Sequence, residues 1–145
     1  MATTSFLYHT QGLRGYTHLK TEYVGGGVRY HIKRDHHRRT CRGCHARWTA
    51  LRMDGEFVRT FLALPLGMRR QEVVLHGHQQ TCTRCGRTLR EPIPFARGKQ
   101  RHLRALAVYI VALCQIAPIK HVAEILGLGW DLVKEIFKGH LARRL

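Results

Sequence analysis

Acidic residues are scarce in this chain: 9 Asp and Glu stand against 25 Lys and Arg in 145 residues, a formal net charge of +16. Such an excess repels itself unless a polyanion is close, which favours nucleic acid or an anionic membrane as partner. The few carboxylates are scattered, so none pairs into a two-metal catalytic centre. Long apolar runs are also lacking. The longest, ALAVYIVALC at 105–114, is far shorter than the roughly 20 residues that span a bilayer. The opening MATTSFLYHT has no basic stretch leading into an apolar one, so no signal peptide is expected. Internal repeats and low-complexity tracts are absent. These gaps count against a membrane partner and make reducing cytoplasm the expected compartment, where thiols bind metal more often than they form disulfides.

Proline is rare, four residues in all, and each punctuates an element. Pro65 limits a strand-like run, Pro92 and Pro94 mark a boundary, and Pro118 interrupts a helical pattern. Before that boundary the hydrophobic period is 2. THLKTEY at 17–23 and VRYHIKR at 28–34 flank a Gly25-Gly26-Gly27 run, which predicts a β-hairpin. Residues 57–66 and 72–78 predict two more strands, joined through Gly67 to Arg70. Beyond residue 97 the period becomes 3.6. Leu103, Leu106, Ala107, Ile110, Val111 and Cys114 predict one helix, with Cys114 as a small core residue. Two further helices are predicted at 121–126 and 131–141.

What is present in the first part is a pair of C-x-x-C motifs, Cys41/Cys44 and Cys82/Cys85. Two thiolates three residues apart can turn toward one ion when the backbone makes a tight knuckle, and two knuckles complete a tetrahedron. Gly43 lies inside the first pair and Gly86 follows the second. The stretch between the pairs exceeds the usual spacing of about 15–20 residues, but it accommodates the two strands of a zinc ribbon. A redox C-x-x-C opens a helix, and no helical pattern follows either pair. The expectation is one structural Zn2+ held by Cys41, Cys44, Cys82 and Cys85, in a closed site with no position for catalytic water. Free thiols are the bland alternative. The nearby His36, His37, His45, His76 and His78 read as exposed loop or strand residues.

The segment IKHVAEILGLGWDLVKEIFKGHL, 119–141, predicts a helix-turn-helix. Ala123 is small at the expected crossing, Gly127 supplies a left-handed turn, and Val122, Leu126, Leu128, Val133 and Ile136 fill a shared core. The second helix of such a motif enters the major groove. Trp130, Asp131, Lys134, Glu135 and Lys138 avoid its apolar stripe. Lys134 and Lys138 reach bases or phosphates. Asp131 suits the helix dipole but repels phosphate; it accepts from a cytosine amino group or faces water. Trp130 stacks at the groove or caps the core. Most of the charge lies earlier, at net +11 up to Arg97 and +5 beyond. Arg38, Arg39, Arg42 and Arg47 surround the first knuckle, Arg84, Arg87 and Arg90 the second, and Arg69 and Arg70 a strand turn. They are the expected phosphate contacts, or minor-groove arginines.

From about Ser5 to its end the chain resembles the N-terminal part of ISL-three family insertion-sequence transposases. The resemblance is carried by LYHTQGLRGYTHLKTEY, VRYHIKR, the two cysteine pairs with strands between, and HVAEILGLGWDLVKEI. The first knuckle reads Cys-Arg-Gly-Cys where relatives often have proline after the first cysteine. The resemblance implies that the four cysteines are zinc ligands. It also implies that the segment from Ile119 onward recognises the element's terminal inverted repeats, ahead of an RNase H-like, DDE-type catalytic domain. The sequence ends at LARRL, where that domain is expected to begin, so the chain itself is read as non-enzymatic. It is a DNA-binding fragment, a truncated gene or a domain reused alone.

These readings combine into an α+β protein: an N-terminal β-hairpin segment (1–37), a zinc ribbon (38–97) and a three-helix helix-turn-helix domain (98–145). The expected partner is double-stranded DNA at transposon ends, in the bacterial cytoplasm and on the nucleoid when bound. Homodimerisation would run through parts of the parent protein. The alternatives are a standalone zinc-ribbon/helix-turn-helix regulator of transcription or transposition, and a zinc-ribbon protein that binds RNA or the ribosome.

Overall fold

The computed structural model describes residues 2–144. A helix α1 (Ala2–Gln11) leads into strands β1 (Tyr16–Val24) and β2 (Gly27–Arg34). Two short 3-10 turns, His36–Arg38 and Trp48–Ala50, follow within a long connection to β3 (Leu51–Leu62). Then come β4 (Gln71–Cys82), β5 (Thr88–Arg90), α2 (Arg104–Cys114), α3 (Ile119–Leu126) and α4 (Trp130–Arg144). The fold is α+β, as the change of hydrophobic period predicts.

Gly25 and Gly26 make the β1–β2 turn at φ 56° and 78°, the double positive φ of a type I′ hairpin. Val24 pairs with Gly27, so the third glycine already belongs to the strand. β2 then pairs in parallel with β4, from Val28 opposite Gln71 to Ile32 opposite Leu75. β4 pairs antiparallel with β3 along its length, from Leu51 opposite Cys82 to Leu62 opposite Glu72. The sheet order is β1-β2-β4-β3, with β5 on the far half of β4. The hairpin and the strands between the cysteine pairs therefore share one sheet.

β3 and β4 are each 12 residues long, longer than the alternation of 57–66 and 72–78 predicts. Arg52, Asp54, Glu56, Val58 and Thr60 occupy the exposed positions of β3, and the polarity of the first three hides its first half from a hydrophobic scan. β3 ends at Leu62, before Pro65. Gly77 is required by its cross-strand neighbour: a Cβ there would lie 2.3 Å from the Phe57 ring.

One core lies on the sheet face under α1 and the extended stretch after β5. Leu7, Leu13, Tyr16, Tyr30, Ile32, Phe61, Val73, Leu75, Phe95 and Leu103 fill it. Phe95 packs edge-on against both Phe61 and Tyr16, with centroids at 4.9 and 5.1 Å. α1 has no counterpart in the sequence reading. Its residues, ATTSFLYHTQ, mix β-branched and aromatic side chains that are indifferent helix formers, and tertiary contacts hold it. Gln11 is 3% exposed, donating to the Leu64 carbonyl at 3.1 Å and accepting from the Leu64 amide at 2.9 Å.

The second core belongs to the helices. Leu106, Ile110, Val122, Ala123, Val133 and Ile136 are buried together with Leu62 from the end of β3. Leu126, Leu128 and Cys114 pack against it, partly buried. The backbone of Leu62 accepts from Leu103 at 2.9 Å and donates to Arg101 at 2.8 Å, so hydrogen bonds tie the end of β3 to the residues that lead into α2. No helix among the described residues is long and apolar enough to cross a membrane.

Candidate metal centre and nucleic-acid interface

The two C-x-x-C motifs come together at the far end of β3 and β4. Cys82 closes β4 opposite Leu51. The first motif sits in the connection before β3, held there by the Gln80 side chain donating to the Thr40 carbonyl at 3.1 Å and by the Thr83 amide donating to Ala50 at 2.9 Å. The two knuckles share one backbone pattern. The His45 amide donates to Cys41 and the Cys41 amide to Ala46, both at 3.0 Å; the Gly86 amide donates to Cys82 at 2.9 Å and the Cys82 amide to Arg87 at 3.0 Å. Each knuckle needs a left-handed residue just after its second cysteine. Gly86 supplies one at φ 72°, and His45 supplies the other at φ 61°. Gly43 is not in that region. Its missing side chain has another use, since a Cβ there would meet the Arg87 guanidinium at 2.7 Å.

All four sulfurs lie within 4.8 Å of one another. Cys41 Sγ is 3.7 Å from Cys85 Sγ, and Cys44 Sγ is 3.6 Å from Cys82 Sγ. A tetrahedron with metal–sulfur bonds of about 2.3 Å has edges of about 3.8 Å, so the cluster fits one metal ion. Disulfide bonds are far shorter than these separations. Backbone amides favour thiolate here. Gly43 N–H and Cys44 N–H point at Cys41 Sγ, at 3.3 and 3.5 Å. The Arg87 amide holds the Cys85 thiol down at about 6. The Cys85 amide, and then that of Arg84, lowers Cys82. Cys44 is pushed up to about 11: the Ala46 amide favours its thiolate, but desolvation and hydrogen bonds with the other three sulfurs keep its proton. Four crowded sulfurs do not all ionise without a cation between them. Among the described residues, no other group of three or more Cys, His, Asp or Glu side chains has metal-binding spacing.

The helical unit has helix-turn-helix geometry. α3 ends at Gly127, φ 67°, whose amide donates to Glu124, while the Leu128 amide reaches back to Ala123 at 3.0 Å. This is the left-handed C-terminal cap that a sharp reversal requires. Ala123 is buried at the crossing. α4 presents Asp131, Lys134, Glu135 and Lys138 to solvent and turns Val133 and Ile136 inward. Trp130 is 48% exposed, with the Lys134 ammonium 4.7 Å from its ring centroid. It lies on the outer face, not over the core.

The expected arginines divide into groups. Arg38, Arg42, Arg47, Arg84 and Arg87 are exposed around the knuckles, and Arg69 and Arg70 are exposed at the opposite end of β3–β4. Arg70 shares a small cavity with Leu126 and Leu128 at the helical turn. Arg39 departs from the set. It is 6% exposed and points inward, against His78 Nδ1 at 3.0 Å and Met53 Sδ at 2.8 Å, and donates to the Arg34 carbonyl at 3.4 Å. In this position it braces the first knuckle's loop against the sheet and offers nothing to a phosphate. Position in a basic run did not distinguish it from Arg38. His31, which no sequence motif marks, lies with its Nδ1 2.7 Å from His76 Nε2 and bonds Glu22 through its Nε2. Alternation along β2 assigns His31 to the face opposite Ile32 but does not show which cross-strand partners it meets.

Comparison with curated proteins and with solved structures gives no match. Residues 91–141, from the stretch that follows β5 through most of α4, match the helix-turn-helix domain of transposase family ISL3, so the α2–α4 unit is similar to that domain in sequence and has the helix order it requires.

Proposed function

We propose that the chain recognises double-stranded DNA at the terminal inverted repeats of an insertion sequence, as the DNA-recognition part of a DDE-type transposase. The observation that carries this reading is the exposed face of α4, with Lys134 and Lys138 one turn apart, in a domain matched to that family. α4 would lie in the major groove, where Lys134 and Lys138 contact phosphates or base edges. The cation–π contact with Trp130 holds Lys134 in place before DNA arrives. Asp131, in the first turn of α4, offsets the helix dipole and selects against a phosphate there. Such an interface has the specificity of base readout and the salt dependence of phosphate contact.

The four cysteines would hold Zn2+, which suits sulfur donors in a tetrahedron and brings no redox chemistry. Its role is structural: it ties the loop before β3 to the end of β4 and so fixes Arg42, Arg47, Arg84 and Arg87 on one end of the sheet. These arginines supply phosphate contacts, and pairing between subunits would involve other parts of the parent protein.

Selection of bound duplexes from a random pool, with and without a zinc chelator, tests the reading. One enriched motif, recurring at the ends of insertion elements, is expected. The chelator should weaken binding while leaving that motif unchanged, because the helical core contains none of the four cysteines. A pool with no enriched sequence would remove the terminal-repeat assignment.

A further inference from the structure

The corner between β2 and the first knuckle carries aromatic rings that duplex recognition leaves unused. The His36 and His37 rings each lie 4.8 Å from Trp48, tilted by 59° and 45°, and 5.6 Å from each other. Both imidazoles are exposed and Trp48 is half-buried. His36 and His37 border a cavity of about 570 Å³ whose wall also includes Lys33, Arg34 and Arg38, and Trp48 backs the two imidazoles. Arg34 is fixed in that wall. It donates to the Arg14 carbonyl at 3.0 Å and the Arg38 carbonyl at 3.3 Å, and lies 4.9 Å from the Tyr16 ring centroid. The acid in the wall, Asp35, accepts from the Thr17 hydroxyl.

We infer that this corner binds an unpaired DNA nucleotide. Its base would stack on the imidazole–indole cluster and its flanking phosphates would lie against Lys33, Arg34 and Arg38. In duplex DNA the base faces are covered by neighbouring pairs, so aromatic rings beside arginines gain nothing from the double helix that arginines alone would not. An unpaired base offers the matching face. Aromatic platforms lining a basic groove are the general solution to single-strand binding, and a cavity of several hundred cubic ångström admits a small ligand. The surface is separate from α4, so the inference goes beyond duplex recognition and does not depend on it.

The test compares a short labelled oligothymidine strand with an equally long strand of abasic sites, which carries the same phosphates without bases. Fluorescence anisotropy at fixed salt should show the base-bearing strand bound about tenfold more tightly, the scale of one stacked base. The His36→Ala/His37→Ala double variant should lose that preference while keeping its duplex affinity and thermal melt. His36→Phe/His37→Phe, which retains stacking faces, should keep it. Equal affinity for the two strands would overturn the proposal. So would a preference that survives in the alanine variant, which would place the stacking elsewhere, for example at Trp130. Oligouridine bound more tightly than oligothymidine would overturn the assignment to DNA.

Discussion

His45 holds φ at 61° in the position where the second knuckle has Gly86 at 72°. For a residue with a Cβ that conformation costs about 1–2 kcal/mol, yet the knuckle requires it. His45 is exposed, so little packing depends on its ring. Replacing it by glycine relieves the strain and adds back part of the cost as unfolded-state entropy, roughly 0.4–1 kcal/mol. His45→Gly should therefore stabilise the metal-loaded protein by about 0.5–1 kcal/mol, read as a higher denaturant midpoint with an unchanged slope. The expectation for Cys82 is opposite in sign and much larger. It is 1% exposed and is one of the four clustered sulfurs, and structural zinc in small peptides contributes about 10–16 kcal/mol of folding free energy. Cys82→Ser should strip the metal, measured by elemental analysis, and unfold the knuckle end. The helical signal of α2–α4 should persist, because that unit has its own core. A variant with undiminished stoichiometric zinc would refute the ligand assignment.

At the scale of elements, α4 joins the sequence to function most directly. Its 15 residues make a rod of about 22 Å, with the outward lysines in its middle. If both lysines contact phosphates, Lys134→Ala/Lys138→Ala should weaken duplex binding and lower the slope of log affinity against log salt by about 2. Equal affinity and slope in a salt titration would remove α4 from the groove. The elements that the sequence made legible are those whose chemistry is local. The Gly25-Gly26 turn, the cysteine spacing, the Gly127 reversal and the 3.6 period of α2–α4 each follow from a few neighbouring residues. What was not legible depends on distant partners. α1 is helical because Leu7 is buried and Gln11 is clasped by Leu64. The parallel pairing of β2 with β4 spans more than forty residues of chain. Arg39 and Arg38 are adjacent in the same basic run, and only the neighbourhood of Met53 and His78 turns one inward.

For the whole molecule, the proposed DNA contacts at the two ends of the sheet would be spaced by the length of the β3–β4 pair. Ten residue steps along β4 separate the register Leu51–Cys82 from Leu62–Glu72, β3 carrying one extra residue in a bulge, which at about 3.4 Å per step is roughly 34 Å. The helix-turn-helix sits at the Leu62 end, with Arg70 beside its turn. Exposed Arg42, Arg47, Arg84 and Arg87 cluster at the Cys82 end. That separation is close to one turn of duplex, about 34–36 Å. A duplex held by α4 and lying along the sheet would thus meet the knuckle arginines one turn away, on the same side. Because phosphate contacts carry no base information, the second contact should add affinity and footprint without adding to the motif. Arg42→Ala/Arg84→Ala should shorten the hydroxyl-radical footprint by loss of a patch about one turn from the α4 site, leaving protection at that site intact. The lysine pair on α4 should instead reduce protection at the motif itself. Footprints that shrink in the same place for both variants would mean that the two ends of the sheet do not share one duplex.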